Sequence, residues 1–138
     1  MQDQPINIKK IGVLTSGGDA PGMNAAIRAV VRAGFYYNLE VYGIYRGYEG
    51  MINNDILKLD SRSIAHVLER GGTFLKSARS LEFRTPEGRK KAYDQLTKAG
   101  IDAFVVIGGN GSFTGALAFN EEYNFPVMGI PGTIDNDI

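Results

Sequence analysis

One short loop combines a hydroxyl group with two carboxylates, in the segment Thr133-Ile134-Asp135-Asn136-Asp137. One carboxylate can accept the proton of an attacking hydroxyl group, and the other can bind or orient a metal ion. The Thr133 hydroxyl can hydrogen-bond a substrate. Because Asp and Asn also favour capped turns, the residues alone leave a purely structural interpretation open. The chemistry that this spacing suggests is phosphoryl transfer.

Two glycine-rich segments, Gly17-Gly18-Asp19 and Gly108-Gly109-Asn110-Gly111-Ser112, each join a predicted strand to a predicted helix. Glycines at such junctions let backbone N–H groups face an anion, and the helix dipole favours the same charge. A plain turn is the alternative for either segment alone. Two such segments in one α/β chain favour phosphate binding. Neither matches the P-loop pattern or the dinucleotide pattern G-x-G-x-x-G.

Basic residues add less specific signals. Arg79 ends a segment led by Gly71-Gly72, and its planar guanidinium can hold two phosphate oxygens, although a surface position is the alternative. Arg28 and Arg32 lie four residues apart on one flank of a predicted helix, which is typical of a solvated face. His66 has no Ser, Cys or second His near it in sequence. We interpret it as structural, which excludes Ser–His and His-metal schemes.

The composition excludes several classes of protein. A length of 138 residues fits one domain, and 15 acidic against 15 basic residues give no electrostatic reason to expect a nucleic-acid or membrane partner. Cys is absent, which excludes disulfides and Cys-based catalysis. No run approaches the ~18 apolar residues of a membrane span. The polar residues 1–10 contain no signal-peptide core, so we expect a cytoplasmic protein.

Alternating apolar strands and helices predict an α/β fold, a doubly wound, mostly parallel sheet with helices on both faces. The predicted strands are 9–16, 40–45, 56–59, 103–107 and 126–130, and the predicted helices are 24–37, 61–69, 86–98 and 113–122. Thr85 is the expected N-cap of the third helix, and Gly100 ends it. Four polar or glycine-rich loops are expected at one edge of the sheet, where such folds bind ligands. These loops start at Gly17, Gly47, Gly108 and Pro131.

Four motifs, taken in order, resemble the 6-phosphofructokinase family. They are KIGVLTSGGDAPGMN at 10–24, the segment from Gly71-Gly72-Thr73 to Ser77-Ala78-Arg79, the loop 108–112, and PGTIDND at 131–137. The resemblance runs from about Lys9 to the last residue and implies the nucleotide-binding domain of that family. It further implies transfer of the γ-phosphoryl group of MgATP to the 1-hydroxyl of fructose 6-phosphate, giving fructose 1,6-bisphosphate in glycolysis.

The resemblance also implies roles for individual residues. Asp135 is the base that takes the proton of the sugar hydroxyl, and Thr133 and Ile134 join it in contacting the sugar phosphate. The residues implied to bind ATP are Gly18, Tyr48, Arg79, Ser80, Gly109, Asn110, Gly111 and Ser112. A reaction of this kind needs positioning and charge stabilisation more than covalent chemistry, and these residue types supply both.

Two positions near the nucleotide depart from the family pattern. Asn110 stands where the family has an Asp that helps to hold Mg²⁺. The implied ligands of Mg²⁺, the expected cofactor, are therefore Asn110 and Asp137, and we expect either weaker metal binding or greater reliance on Asp137. Ser80 stands where bacterial members often have an aromatic residue, so stacking against adenine is expected to be lost.

The implied effector site departs from the family as well. Arg28 and Arg32 match the arginines that hold the effector's phosphates in allosteric bacterial members. Ser61 occupies the expected place of a third arginine, with Arg62 beside it. The resemblance therefore does not carry regulation by a nucleoside diphosphate over to this chain.

Two alternatives to ATP-dependent catalysis stay open. Pyrophosphate-dependent members of the family typically carry Asp where this chain has Gly111 and Lys where it has Gly132. Both glycines indicate ATP, whereas Asn110 leaves pyrophosphate open as the donor. The second alternative is a non-catalytic nucleotide-binding module, against which the intact Asp135 and Thr133 argue.

Members of the family are considerably longer than this chain. Residues 1–138 are therefore expected to form a truncated N-terminal nucleotide-binding domain that lacks the C-terminal sugar-phosphate domain. Such a chain is expected to be inactive alone and to expose apolar surface where covering helices are missing. By resemblance, the full-length protein is a homo-oligomer, specifically a tetramer.

Overall fold

The structure is a computed structural model that describes residues 7–16, 21–60, 62 and 80–131. The strands are β1 (Lys10–Thr15), β2 (Glu40–Ile44), β3 (Ile56–Leu59), β4 (Ala103–Gly108) and β5 (Val127–Pro131). The helices are α1 (Pro21–Tyr36), α2 (Gly47–Ile52), a 3-10 helix (Glu82–Arg84), α3 (Pro86–Ala99) and α4 (Asn110–Tyr123). Among the helices of the described residues, none combines the length and the apolar character needed to cross a bilayer.

Strand β1 lies at the centre of a five-stranded sheet with the order β3-β2-β1-β4-β5. It pairs in parallel with β2 and β4, and β4 pairs in parallel with β5, which confirms the predicted mostly parallel sheet. The exception is β3, which runs antiparallel to β2. Parallel pairing needs a long crossover, whereas only the short α2 and a tight turn separate these two strands. Asn54 adopts the left-handed conformation in that turn, with φ 63°.

The two faces of the sheet carry separate apolar clusters. Neighbouring residues of β1 contribute to opposite clusters, because side chains alternate along a strand. Leu14 and Phe104 belong to the cluster that packs against α2, α3 and α4. Val13 belongs to the cluster that packs against α1, together with Ile27 and Val31 of that helix. The prediction of helices on both faces is therefore confirmed.

The segment after β2 differs from its prediction. The sequence predicts a loop from Gly47, but this residue begins α2, so the prediction is wrong at this point. Arg46 and Gly47 both adopt the left-handed conformation, with φ 61° and 60°, and turn the chain directly from the strand into the helix. A Cβ atom at Gly50 would collide with the carbonyl oxygen of Tyr45, so glycine permits this close return. Met51 is fully buried and anchors the helix.

Other boundaries shift by a few residues. Helix α1 begins at Pro21 instead of residue 24, since proline fits a first helical turn whose N–H groups have no helical partner. Helix α4 begins at Asn110, so part of the predicted glycine-rich loop forms its first turn. Pro131 ends β5 instead of starting a loop. The predicted helix at 61–69, with His66, lies outside the described residues apart from residue 62.

Helix α1 leaves part of β5 uncovered beside the buried strand β4. An apolar groove of about 490 Å³ lies between this helix and the two strands. Its lining includes Ala29 and Ala33 of the helix and Val105, Met128 and Ile130 of the strands. Met128 is 61% exposed. The groove agrees with the expectation that this chain exposes apolar surface.

Both ends of α3 match their predictions. Thr85 is the N-cap, and its hydroxyl oxygen accepts a hydrogen bond of 3.0 Å from the backbone N–H of Gly88. The same hydroxyl donates to the carbonyl oxygen of Glu82 at 2.8 Å, which ties the 3-10 helix to α3. Gly100 ends the helix in the left-handed conformation, with φ 78°.

We expect Thr85→Ala to lower the free energy of unfolding by about 1 kcal/mol, because an amide of the first turn of α3 loses its acceptor. Urea unfolding followed by circular dichroism measures the change. Thr97→Ala, at an exposed position inside the same helix, is the matched control and should change stability by less than ~0.5 kcal/mol. Equal destabilisation by both substitutions would contradict the capping role.

Candidate functional site

The carboxyl ends of β1, β4 and β5 lie side by side, and we call this part of the sheet the carboxyl edge. Thr15 pairs with Ile107, and Ile107 pairs with Ile130. The backbone N–H of Ser16 also donates to the carbonyl oxygen of Ile107 at 2.8 Å. The segments that follow these three strands therefore start from neighbouring points. Several predicted site residues lie outside the described residues, namely Gly18, Arg79, Thr133, Ile134, Asp135 and Asp137.

The first turn of α4 presents backbone N–H groups at the carboxyl edge. Gly109 is the N-cap, with extended backbone and no side chain that caps the helix. The first turn contains no acidic residue, so nothing in it opposes an anion. Gly109, Asn110 and Gly111 are exposed, whereas Ser112 is 9% exposed. The first N–H groups of a helix have no partner within it, and together with the positive end of the dipole they make this turn suited to phosphate.

Glycines in this segment serve different physical purposes. A Cβ atom at Gly108 would collide with the carbonyl oxygen of Ser16 and lie 2.7 Å from the Ser112 hydroxyl oxygen. Glycine is required there because β4 and β1 approach closely. Among the described residues, a Cβ atom at Gly109 or Gly111 would meet no heavy atom within 4 Å. The space above these two residues is therefore open to a ligand.

Tyr48 lies behind the first turn of α4. Its hydroxyl donates a hydrogen bond of 2.6 Å to the carbonyl oxygen of Ser112. The ring stacks on Phe83 with centroids 4.0 Å apart, and the residue is only 7% exposed. Burial raises the pKa of the Tyr48 hydroxyl far above its usual value, so the group stays protonated. A direct contact between Tyr48 and nucleotide stays a prediction.

Ser80 contacts the 3-10 helix that carries Phe83. Its hydroxyl oxygen accepts a hydrogen bond of 3.2 Å from the backbone N–H of Phe83, in the 3-10 helix. Phe83 is 3% exposed and is the ring on which Tyr48 stacks. The structure thus gives Ser80 a capping contact, and its predicted contact with ATP stays a prediction.

Asn110 is the only predicted metal ligand within the described residues. It is exposed at the start of α4, and its backbone carbonyl oxygen accepts a hydrogen bond of 3.0 Å from the Thr114 hydroxyl. Within the described ranges, no group of three or more His, Cys, Asp or Glu residues forms a metal site. An exposed amide oxygen fits Mg²⁺, which takes oxygen ligands and usually keeps several waters. The position of Asp137 relative to Asn110 stays a prediction.

The two arginines of the predicted effector site lie on α1. Arg28 and Arg32 are both exposed, whereas Val30 and Val31 between them are buried against the sheet. Their exposure fits the solvated face that the spacing predicts. An effector role for them stays a prediction.

Phe83 is the residue near the site that the sequence does not reveal. It follows an irregular segment, where neither a helical nor a strand period marks it as buried. Its ring partners Tyr48 and Phe119 are distant in sequence. The one available signal is that an aromatic residue precedes the strong helix start at Thr85-Pro86.

The fold and the motifs match one family of known proteins. The family model described as Phosphofructokinase matches residues 10–138. This chain belongs to the phosphofructokinase family. It is 66% identical over 131 residues to a Cytophaga hutchinsonii protein named ATP-dependent 6-phosphofructokinase. It is 57% identical over 131 residues to a Bacteroides thetaiotaomicron protein named ATP-dependent 6-phosphofructokinase 2. The family prediction from four motifs is confirmed.

The phosphofructokinase chain spans only part of its relatives. Both alignments cover 95% of this chain but 40% of the relative. Among solved structures, phosphofructokinase from Saccharomyces cerevisiae is similar with a TM-score of 0.86 and 41% identity, over 92% of this chain and 20% of that one. A pyrophosphate-dependent phosphofructokinase from Nitrosospira multiformis has a TM-score of 0.79 at 19% identity, over 94% of this chain and 35% of that one. The latter likeness concerns the fold alone.

Two alanine substitutions distinguish the roles of Gly108 and Gly111. We expect Gly108→Ala to lower the free energy of unfolding by ~1–3 kcal/mol, because the added methyl group forces β4 and Ser16 apart. Gly111→Ala adds a methyl group in open space and is expected to leave stability unchanged or slightly higher. Thermal and urea unfolding of both variants measure the difference. A Gly108→Ala protein as stable as Gly111→Ala would show that the close approach is wrongly placed.

Proposed function

We propose that this chain supplies the nucleotide-binding part of an ATP-dependent 6-phosphofructokinase. The reaction is transfer of the γ-phosphoryl group of MgATP to the 1-hydroxyl of fructose 6-phosphate, which gives fructose 1,6-bisphosphate in glycolysis. The observation that carries the proposal is the first turn of α4. Its first residues are exposed at the carboxyl edge, and a Cβ atom at Gly109 or Gly111 would meet none of the described residues within 4 Å. In this proposal residues 1–138 are the N-terminal nucleotide-binding domain, and further sequence supplies the sugar-phosphate domain.

The nucleotide phosphates occupy the space above the first turn of α4. Backbone N–H groups there bind phosphate oxygens, and the dipole of the helix stabilises their charge. Gly18, Arg79 and Ser80 complete the nucleotide site in this proposal. Arg79 contributes a bidentate contact that keeps its charge at any working pH. Catalysis then depends on position and electrostatics, as phosphoryl transfer requires.

Mg²⁺ is the cofactor of the proposed reaction. Asn110 and Asp137 are its proposed protein ligands, through an amide oxygen and a carboxylate. The ion, when bound, neutralises charge on the transferring phosphoryl group. An amide oxygen carries no net charge, so this site is proposed to hold Mg²⁺ less tightly than a pair of carboxylates.

The acceptor sugar binds beside the nucleotide in this proposal. Gly108 pairs with Pro131 at the ends of their strands, so the segment after β5 starts next to the start of α4. Thr133, Ile134 and Asp135 contact the sugar phosphate. Asp135 takes the proton of the 1-hydroxyl as the oxygen attacks the γ-phosphorus atom.

Two features favour ATP over pyrophosphate as the donor. Gly111 leaves the space above α4 free of a side chain, which suits the larger donor. The curated relatives at 57–66% identity carry ATP in their names, whereas the pyrophosphate-dependent structures are below 20% identity. Pyrophosphate dependence and a non-catalytic nucleotide-binding module are the alternatives that the experiments below distinguish.

The wider setting of the enzyme is also proposed from the family. A cytoplasmic location fits a glycolytic enzyme. The full-length protein is proposed to form a homo-oligomer, a tetramer. Arg28 and Arg32 are exposed on α1 and are the proposed contacts for the phosphates of an effector.

Assays of a chimaeric enzyme identify the donor. In the chimaera, this chain replaces the aligned segment of the Cytophaga hutchinsonii relative. We expect turnover of fructose 6-phosphate with MgATP and none with magnesium pyrophosphate, while the 138-residue chain alone turns over neither. Turnover with pyrophosphate would reverse the donor assignment. An inactive chimaera with both donors would favour the non-catalytic module.

Asp135→Asn in the same chimaera tests the proton acceptor. We expect kcat to fall by ~10²–10⁴-fold, because the amide cannot take the proton of the 1-hydroxyl. Asp94→Asn makes the same chemical change on the exposed side of α3 and should leave kcat unchanged. Rates unaltered by Asp135→Asn would reject the catalytic role, and nucleotide binding that persists would then favour the module.

A further inference from the structure

We infer that Tyr48 is a positioning residue that fixes the first turn of α4 from behind. This inference rests on the proposed function, because that turn carries the phosphate contacts. The hydroxyl of Tyr48 donates to the carbonyl oxygen of Ser112 at 2.6 Å, across 64 residues of sequence. Ser112 directly follows the exposed residues Asn110 and Gly111, whose backbone amides belong to the same first turn of α4. A bond to this carbonyl group therefore controls where those amides point.

Aromatic contacts hold the ring of Tyr48 in place and thereby fix the position of its hydroxyl. It stacks on Phe83 with an interplanar angle of 10°, and its edge meets the ring of Phe104 with centroids 6.4 Å apart. Aromatic pairs of this geometry contribute beyond the area that they bury. Gly115, on the next turn of α4, packs beside the rings of Tyr48 and Phe83, since a Cβ atom there would lie at an ordinary van der Waals distance of 3.5 Å from each. The contact with Ser112 is thus built on a rigid platform.

The platform is also tied to the far end of α4. The guanidinium of Arg89 donates to the carbonyl oxygen of Phe83 at 3.0 Å. The same group donates two bonds, of 2.8 and 2.7 Å, to the carboxylate of Glu122 in the last turn of α4. Hydrogen bonding to Arg89 lowers the pKa of Glu122, so the pair stays ionised at neutral pH. Tyr48 therefore holds the first turn of α4, and Arg89, which is bonded to Phe83, holds the last turn.

This arrangement separates the roles of ring and hydroxyl. The ring contributes to the core, because it is buried among other aromatic side chains. The hydroxyl contributes to the site, because its hydrogen bond goes to the carbonyl oxygen of Ser112, in the turn proposed to bind the phosphates. Since burial keeps the hydroxyl protonated, it stays a donor across the working pH range. Removing the oxygen atom alone should therefore loosen the turn and spare the fold.

The matched pair Tyr48→Phe and Tyr42→Phe tests this separation in the chimaera described above. Both substitutions remove a hydroxyl that donates a hydrogen bond, and the Tyr42 hydroxyl bonds Glu40 on β2 at 2.8 Å. We expect Tyr48→Phe to raise the KM for ATP about fivefold, as loss of one neutral hydrogen bond allows. In Tyr48→Phe, the KM for fructose 6-phosphate and the melting temperature should stay near their original values. In Tyr42→Phe, both KM values and the melting temperature should stay near theirs. Equal changes in both KM values, or none, would overturn the inference.

Hydrogen exchange of the 138-residue chain tests the contact without any activity. We expect the amides of residues 113–116 to exchange about fivefold faster in Tyr48→Phe than in the original chain, because the first turn opens more often. Tyr42→Phe should leave these rates unchanged. Unchanged rates in Tyr48→Phe would overturn the inference whatever the assays give. Faster exchange with an inactive unmutated chimaera would support the positioning contact and count against the proposed function.

Discussion

The parallel pairing of β1 with β4 is the contact on which the rest of the site depends. Its register joins Ile11 to Ala103 at one end and Thr15 to Ile107 at the other. Both strands are buried on both faces over most of their length, so a slip of one residue would exchange every core side chain between the two clusters. Burial therefore fixes the register. That register in turn sets the end of β1 beside the end of β4, from which α4 starts, although about ninety residues of chain separate β1 from β4.

Local signals account for most of the fold that the sequence predicts. Strand β4 is a compact apolar run between polar residues, and such a run has few alternatives in an α/β chain. Thr85 and Gly100 carry the chemistry of helix ends in their own side chain and backbone, so their neighbours matter little. Helix α2 escapes prediction for the opposite reason. Its start depends on a left-handed conformation at Arg46, which nothing in the local sequence requires.

The candidate site likewise combines features that the local sequence predicts with features that it does not. The glycine-rich segment before and within α4 is visible in the sequence, because glycines at a strand-to-helix junction have a physical meaning of their own. The sequence alone, however, does not distinguish Gly108, which the approach of β1 requires, from Gly111, which faces open space. The support from Tyr48 and Phe83 is also hidden, since their stacking depends on contacts between distant segments. Assignments for Thr133, Ile134, Asp135 and Asp137 rest on the family resemblance.

The apolar groove beside α1 has a thermodynamic consequence for this chain. Apolar surface open to water contributes nothing to the free energy of folding, and it contributes as soon as another apolar surface covers it. A molecule that covers Val105, Met128 and Ile130 binds the native chain but not the unfolded chain, and it therefore raises the free energy of unfolding by mass action. The melting temperature of this chain is thus a joint property of the chain and of what fills the groove. Stability values are comparable only at a stated protein concentration and composition of the solution.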